Sequence, residues 1–245
     1  MKREEFIDKY FTNIQLEKAY PDAYYVRKSI FSAIQKDTPK FKGVLLDVGC
    51  GIMPYREYIL GANKQVTSYI GMDFESALDS EYALGKPDLF WTGDRIPMED
   101  HSADTILATE LFEHCPDPEK VMREMLRVLR PSGILFFTVP FLWNLHLVPY
   151  DEYRYTPYSL ERLLKNSGFV QTDLLPLGGW DASLAQMLAI WLAHRPMPAG
   201  KKNLLARIVL PVIKKLIRMD PLFDKASLFT NGGMITGLYG TAYAP

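Results

Sequence analysis

Seven short apolar runs along the chain predict β-strands. Segments with helical periodicity separate most of them, and most runs end beside a glycine, a proline or an acidic residue. The runs cover residues 44–48, 68–72, 89–91, 105–109, 134–139, 169–175 and 234–243. Runs that are apolar on both faces are typical of strands buried in a parallel sheet.

Apolar stripes and capping residues predict helices between these runs. Residues 1–42 carry such stripes on both sides of Pro21 and are predicted to form a helical cap. Another helix begins at Asp117 and ends near Pro131, and Thr156 caps a third. This alternation predicts an α/β fold with a doubly wound, mostly parallel, seven-stranded sheet.

Composition excludes several classes of protein. Of 245 residues, 48% are hydrophobic and 23% are charged, which is globular rather than disordered or collagen-like. The net charge of −1 gives no global positive field, so no nucleic-acid partner is expected. The N-terminal segment is too charged for a secretory signal, and no apolar run is long enough to span a bilayer, so a soluble, cytoplasmic protein is expected.

Residues 182–219 differ from the rest of the chain. They contain seven lysines and arginines and no acidic residue, so the remainder carries a charge of −8. Within this segment, residues 201–218 mix cations with aliphatic residues around Pro211. One interpretation is a peripheral contact with an anionic membrane. The other, which we favour, is an amphipathic helix interrupted by Pro211 that packs on the sheet or on a second subunit of a homodimer.

The first strand and the turn after it carry the best functional signal. Gly49 and Gly51 let the backbone approach a ligand at the carboxyl edge of the sheet, and Asp47 precedes them. A dinucleotide site would need a third glycine where this chain has Pro54, and Asp47 would repel a phosphate. The turn therefore favours a ligand without phosphate that carries a cationic group, such as a nucleoside joined to an amino acid.

The order of several motifs resembles the class I S-adenosylmethionine-dependent methyltransferases, in particular those acting on small molecules. The resemblance covers about residues 40–175 and lies in the motifs 44–51, 93–104, 110–114 and 129–133, together with Asp73 at the end of the second strand. It implies a Rossmann-like fold and S-adenosylmethionine as the cofactor. It also implies a cofactor-binding set, which comprises Asp47, Gly49, Cys50, Gly51, Asp73, Phe74, Asp94, Arg95, Ala108 and Glu110.

Individual roles follow from the same resemblance. Asp47 would orient the ammonium group of the cofactor, and Asp73 would accept hydrogen bonds from both ribose hydroxyls. Asp94 would accept from the adenine amino group beside the Arg95 backbone, and the main chain at Ala108 would line the methionine end. Two departures stand out: Pro54 stiffens the glycine turn, and residues 74–87 lack apolar periodicity, so a helix there would be short or absent.

The acceptor of the methyl group is expected to meet residues 141–155. This aromatic connection between a strand end and a capped helix is long enough to be functional. His146 is the candidate general base, with Asp151 as its partner or its alternative. The candidate substrate-binding residues are Tyr150, Tyr153, Arg154 and Tyr155. His114 is expected to be structural.

Neither Cys50 nor Cys115 belongs to a zinc pattern, and no metal site is predicted. The stretch 149–157 resembles methyltransferases of bacterial glycan and secondary-metabolite synthesis. We therefore expect an S-adenosylmethionine-dependent methyltransferase that O-methylates a small molecule or glycan precursor. The alternative is a non-catalytic S-adenosylmethionine-binding subunit that interacts with a partner. We predict one domain, with a cap at 1–42, a cofactor-binding core at 43–180, a basic helical insertion at 181–230 and a final strand at 231–245.

Overall fold

A computed structural model describes residues 1–74, 85–220, 229 and 232–245. The helices in these ranges are α1 (Arg3–Ile7), α2 (Pro21–Asp37), α3 (Arg56–Ala62), α4 (Pro118–Val128), α5 (Pro157–Asn166), α6 (Trp180–His194) and α7 (Ala199–Met219). The strands are β1 (Gly43–Val48), β2 (Val66–Phe74), β3 (Leu89–Trp91), β4 (Ala103–Thr109), β5 (Leu129–Pro140), β6 (Gln171–Leu177) and β7 (Gly237–Tyr243). A π-helical turn, Asp8–Thr12, follows α1.

The described strands form one sheet in the order β3-β2-β1-β4-β5-β7-β6. All neighbouring strands are parallel except β7, which runs antiparallel to β5 and β6. The predicted α/β class and the mostly parallel seven-stranded sheet are thus confirmed. Strand order reverses between β1 and β4, and the carboxyl ends of these strands open a crevice at that point.

Apolar residues cover both faces of the sheet. Leu46, Ile106 and Phe137 belong to one buried cluster, while Leu45, Leu107 and Phe136 belong to the other. Alternate residues of each strand point to opposite faces, so a strand apolar throughout fills two cores. This rigid platform fixes the strand ends where the predicted site residues lie.

Two boundaries differ from the sequence-based prediction. Helix α4 ends at Val128, because Leu129 already pairs with Ala103 as the first residue of β5. Helix α7 continues through Pro211, which the sequence analysis expected to interrupt it. Pro211 lies on an exposed part of the helix, where the carbonyl that loses its partner can face water. The segment expected to lack a helix, 74–87, falls mostly outside the described residues.

Helix α7 packs on α6 rather than on the sheet. Ala185 and Ala189 of α6 contact the buried Ile213 of α7, with larger aliphatic side chains around them. None of the helices in the described ranges combines the length and the apolar character that a transmembrane span requires.

Candidate functional site

The turn after β1 is shaped by two glycines with left-handed backbones. Gly49 has φ +71°, and a Cβ there would lie 2.8 Å from a methyl group of Leu111. Gly51 has φ +51°, and a Cβ there would meet open space. The N–H groups of Gly49 and Cys50 both donate to the Met72 carbonyl of β2, at 2.9 and 3.1 Å. The turn therefore holds its backbone against β2 and leaves an open approach beside Gly51.

Asp73, at the end of β2, closes this turn. Its two carboxylate oxygens accept from the N–H groups of Gly51 and Phe74, each at 2.7 Å. The residue is 8% exposed, so the carboxylate lies at the rim of the crevice rather than in bulk water. Because each oxygen can accept more than one hydrogen bond, acceptor capacity remains for a ligand hydroxyl pair.

Asp47 lies below the turn and is buried. Its Oδ2 accepts from the Tyr69 hydroxyl at 2.5 Å, while its Oδ1 is buried without a hydrogen-bond partner. Burial raises the pKa of Asp47 to about 7, although the Tyr69 hydrogen bond opposes that rise. A cationic ammonium group nearby would stabilise the charged carboxylate, so this orphaned oxygen fits the amino-acid end of S-adenosylmethionine.

The buried Asp47 predicts a pH-dependent stability. The folded pKa lies above the unfolded value, so the unfolded chain ionises first, and stability falls as pH rises from about 4 to about 7. We expect Asp47→Asn to be more stable than the parent at pH 8, by up to about 4 kcal/mol, and equal to it near pH 4. Denaturant unfolding at both pH values measures the free energy of unfolding of the parent and the variant. A difference between the two proteins that is the same at both pH values would contradict the prediction.

Two aromatic rings meet at the ends of β2 and β3. Phe74 stacks on the buried Trp91, with ring centroids 5.1 Å apart and planes 23° apart. Asp94 and Arg95 follow on the surface: the Asp94 carboxylate pairs with Lys120 at 2.7 Å, and its side chain is 78% exposed. An adenine contact of Asp94 stays a prediction, and it would compete with this ion pair.

The end of β4 places Ala108 and Glu110 at the centre of the crevice. Ala108 is buried, and its main chain pairs with Phe137 of β5. Glu110 has φ +51°, and its Oε1 accepts from the Thr138 hydroxyl at 2.8 Å. Burial raises the pKa of Glu110. A narrow cleft beside Glu110 is lined by Val26 and Ser29 of α2, so the helical cap covers this part of the crevice.

The connection after β5 holds a compact polar network. His146 Nδ1 and Asp151 Oδ2 are 3.2 Å apart, and the Arg154 guanidinium donates to both Asp151 oxygens at 2.6 and 2.8 Å. The hydrogen bonds from Arg154 lower the pKa of Asp151 to about 2, so Asp151 is an acceptor and orients the imidazole. Burial lowers the pKa of His146. A neutral ring with Nδ1–H toward Asp151 leaves the Nε2 lone pair available.

The three tyrosines of this connection differ in their surroundings. Tyr155 is buried and donates to the Phe112 carbonyl at 2.8 Å, and the Tyr153 hydroxyl donates to the Pro116 carbonyl at 3.1 Å. Their hydroxyls therefore fasten the connection to the turn after β4. The Tyr150 ring is exposed to solvent. Arg154, predicted as a substrate contact, is engaged with Asp151 in this structure.

Glu113 was not among the predicted site residues, and His114 was expected only to be structural. Both lie on a 3-10 turn, Phe112–His114, directly after β4. Both Glu113 carboxylate oxygens are buried without a hydrogen-bond partner, and the His114 ring lies edge-on to His146 with centroids 4.8 Å apart. An acid that follows the apolar pair Leu111 and Phe112, shortly after a strand end, was a signal for Glu113. Nothing in the sequence indicates the His114–His146 contact, which depends on the path of the connection.

Another cavity, of about 360 Å³, opens at the opposite edge of the sheet. It is lined by His101, Arg127, Pro131 and Pro245, among others. None of the predicted site residues lines it, so the crevice at the carboxyl edge remains the candidate site.

Comparison with known proteins places residues 46–137 in the family described as "Methyltransferase domain". A sterol 24-C-methyltransferase of Aspergillus fumigatus is 35% identical over 97 residues, which are 37% of this chain and 26% of that protein. A probable tocopherol O-methyltransferase of Oryza sativa subsp. japonica is 31% identical over 112 residues, which are 42% of this chain and 30% of that protein. The chain thus spans only about a quarter to a third of these relatives' lengths.

Among solved structures, a Thermotoga maritima protein described as an S-adenosylmethionine-dependent methyltransferase, possible histamine N-methyltransferase, superposes with a TM-score of 0.57. Its sequence identity is 14%, and the match covers 99% of this chain and 98% of that one. The [4+2]-cyclase SpnF superposes with a TM-score of 0.54 at 18% identity, covering 96% of this chain and 86% of that one. At these identities the likeness shows the fold.

The predicted fold is confirmed, and the match of residues 46–137 to a methyltransferase domain supports the predicted methyltransferase class and its cofactor, S-adenosylmethionine. The strand order, the glycine turn and the matched residues 46–137 agree with one another. Residues 46–137 match a methyltransferase domain, and the chain has the fold of a solved structure described as an S-adenosylmethionine-dependent methyltransferase.

Proposed function

We propose that this protein transfers a methyl group from S-adenosylmethionine to a hydroxyl oxygen of a small molecule or glycan precursor. The observation that carries the proposal is the His146–Asp151 pair beside the end of β4. A hydroxyl acceptor must lose a proton, and an oriented neutral imidazole suits that task. The relatives support methyl transfer in general, since one is named for C-methylation and another for O-methylation.

The cofactor would be held by the turn after β1 and the acids at the strand ends. The open approach at Gly51 would admit the methionine part, and Asp47 would accept from its ammonium group. Asp73 would accept from the ribose hydroxyls, and Phe74 would flank the adenine. When bound, S-adenosylmethionine supplies an electrophilic methyl group on a sulfonium. The chain's own residues then need to orient the acceptor, exclude water and take its proton.

The test is transfer of radiolabelled methyl groups from S-adenosylmethionine to a panel of hydroxylated acceptors that includes sugars and nucleotide sugars. Mass spectrometry of the products identifies the methylated atom. We expect O-methyl products whose formation requires His146. Transfer to carbon or nitrogen would contradict the proposed acceptor class. Cofactor binding without transfer to any member of the panel would favour the alternative, a non-catalytic binding subunit.

A second proposal concerns an exposed stripe on α7. Leu204, Ile208 and Val212 recur every four residues and are 60%, 61% and 44% exposed. Because residues four apart share a helix face, they form one apolar stripe opposite the face that packs on α6. Exposed cations lie along the same helix, at Lys201, Arg207, Lys214, Lys215 and Arg218. Apolar side chains flanked by cations fit the surface of an anionic bilayer.

We expect the protein to sediment with vesicles containing anionic lipid and to be released by salt. Each cation near such a surface contributes on the order of 1 kcal/mol, so binding should exceed that to zwitterionic vesicles at least about tenfold. The double variant Ile208→Glu, Val212→Glu should lose most of this binding, while Glu161→Ala on α5 should retain it. Absence of binding, together with dimerisation that the double variant abolishes, would assign the stripe to a second subunit.

A further inference from the structure

We infer that Glu113, His114 and His146 form a binding site for one divalent transition-metal ion at the mouth of the crevice. Each residue offers one ligand atom, and the three atoms lie within 4.8 Å of one another. Two imidazoles and one carboxylate are a donor set suited to Mn²⁺, Fe²⁺, Co²⁺ or Zn²⁺. No metal site was expected from the sequence, so this inference departs from that expectation.

The Glu113 carboxylate is the first argument for a cation. Its side chain is fully buried, and both of its oxygens lack a hydrogen-bond partner. A buried carboxylate without partners is costly in free energy unless it is paired or coordinates a metal. Its Oε1 lies 3.7 Å from Nε2 of His114, so the unpaired acceptor is aimed at a candidate ligand atom.

The orientation of both histidines is the second argument. His114 Nδ1 lies 3.0 Å from the Tyr150 carbonyl, and His146 Nδ1 lies 3.2 Å from Asp151 Oδ2. Both partners can only accept, so each Nδ1 carries a proton, and in the neutral ring each Nε2 keeps its lone pair. Metal-binding histidines are held in this way, by a carbonyl or a carboxylate on the nitrogen that does not bind the ion.

The backbone keeps the two halves of the cluster together. The Glu113 carbonyl accepts from the N–H groups of Glu152 and Tyr153, at 2.8 and 3.2 Å. The connection that carries His146 is thereby fastened to the turn that carries Glu113 and His114. Ligand atoms about 2.1 Å from an ion lie roughly 3.4 Å from one another, so the three atoms need to approach by little more than an ångström. Side-chain rotation can supply that movement.

The charge balance and the access path also favour a cation. Three carboxyl groups interact electrostatically in this region, on Glu110, Glu113 and Asp151; the Arg154 guanidinium acts on all three, and Arg27 acts on Glu110. The His114 and His146 side chains are 15% and 27% exposed, so an ion can enter from the solvent side.

The site deepens the proposed function and rests on it for the identity of the acceptor. Three protein ligands leave coordination positions open, and hydroxyl oxygens are suitable occupants. The acceptors that fit are molecules with one hydroxyl, or two neighbouring hydroxyls, that complete the coordination of the ion. With an ion bound, His146 is a ligand rather than a base, so the metal measurement also decides between its two roles.

In the experiment, the metal-free protein is titrated with Mn²⁺ and with Zn²⁺. Binding is measured by calorimetry and, for Mn²⁺, also by electron paramagnetic resonance. We expect one ion per chain. Glu113→Gln, which preserves shape, and His146→Ala should each weaken binding at least about 100-fold, and Asp151→Asn about 10- to 100-fold. His194→Ala, which removes an exposed histidine of α6 that pairs with Asp22, should leave binding unchanged.

Failure to bind either ion, or binding that Glu113→Gln and His146→Ala leave unchanged, would overturn the inference. Thermal melting of each variant separates loss of a ligand from loss of the fold. Because this measurement needs neither S-adenosylmethionine nor an acceptor, its failure is independent of the methyl-transfer assay. If metal binding is intact but methyl transfer fails, the proposed function is refuted and the inference of a metal site still holds.

Discussion

Asp73→Ala is expected to weaken S-adenosylmethionine binding by two to three orders of magnitude. The Asp73 carboxylate is the predicted acceptor for both ribose hydroxyls, and it also holds the Gly51 N–H at 2.7 Å. Hydrogen bonds to a charged group contribute roughly 1.5–3 kcal/mol each, and two such losses correspond to about 100- to 1,000-fold or more. Isothermal calorimetry with S-adenosylmethionine measures the change.

Two companion variants sharpen this prediction. Asp73→Asn keeps one acceptor oxygen and should lie between the parent and the alanine variant. Asp173→Ala removes an exposed carboxylate from β6 and should leave the affinity unchanged. Unchanged binding in Asp73→Ala, with the fold intact by circular dichroism, would remove Asp73 from the cofactor site.

His146→Ala is expected to lower turnover by about 100- to 10,000-fold while leaving the affinity for S-adenosylmethionine unchanged. The imidazole belongs to the network with Asp151 and Arg154, which is separate from the turn after β1. A positioned general base contributes a rate factor of this size, and a metal ligand that activates a hydroxyl would give a comparable loss. Single-turnover kinetics measures the rate, and calorimetry measures the cofactor affinity.

The matched control for this prediction is His194→Ala, since that side chain lies on α6 and pairs with Asp22. Its turnover should equal that of the parent. If the rate of the parent protein depends on added metal, His146 acts as a metal ligand. If the rate is insensitive to chelators, His146 acts as the general base. Turnover that survives in His146→Ala would refute both roles.

The sheet and the cofactor crevice could be predicted because their signals are local. A continuous apolar run such as 44–48 specifies a strand buried on both faces, and parallel strands bring their carboxyl ends to one edge. The positions of Asp47 and Asp73 beside the glycine turn could therefore be predicted without knowing any contact between distant residues. The strand order was not predicted, because the insertion of the antiparallel β7 between β5 and β6 depends on contacts between distant segments.

The acceptor side could be predicted only in outline because it depends on contacts between distant residues. The sequence identifies 141–155 as a functional connection, but the pairing of Arg154 with Asp151 and the approach of His146 to His114 depend on its path. The continuation of α7 through Pro211 is likewise a tertiary effect. Packing against α6 stabilises a helix that the local sequence alone would interrupt.

The hydrogen bonds from Glu152 and Tyr153 to the Glu113 carbonyl have a consequence for specificity. They anchor the base of the 141–155 connection, while Leu145, Leu147 and Val148 at its tip are 75%, 60% and 71% exposed and contribute little to the core. The connection therefore has a base held by hydrogen bonds and an exposed tip that few contacts hold in place. If the proposed function holds, exchanging the tip should change the acceptor specificity without changing the affinity for S-adenosylmethionine.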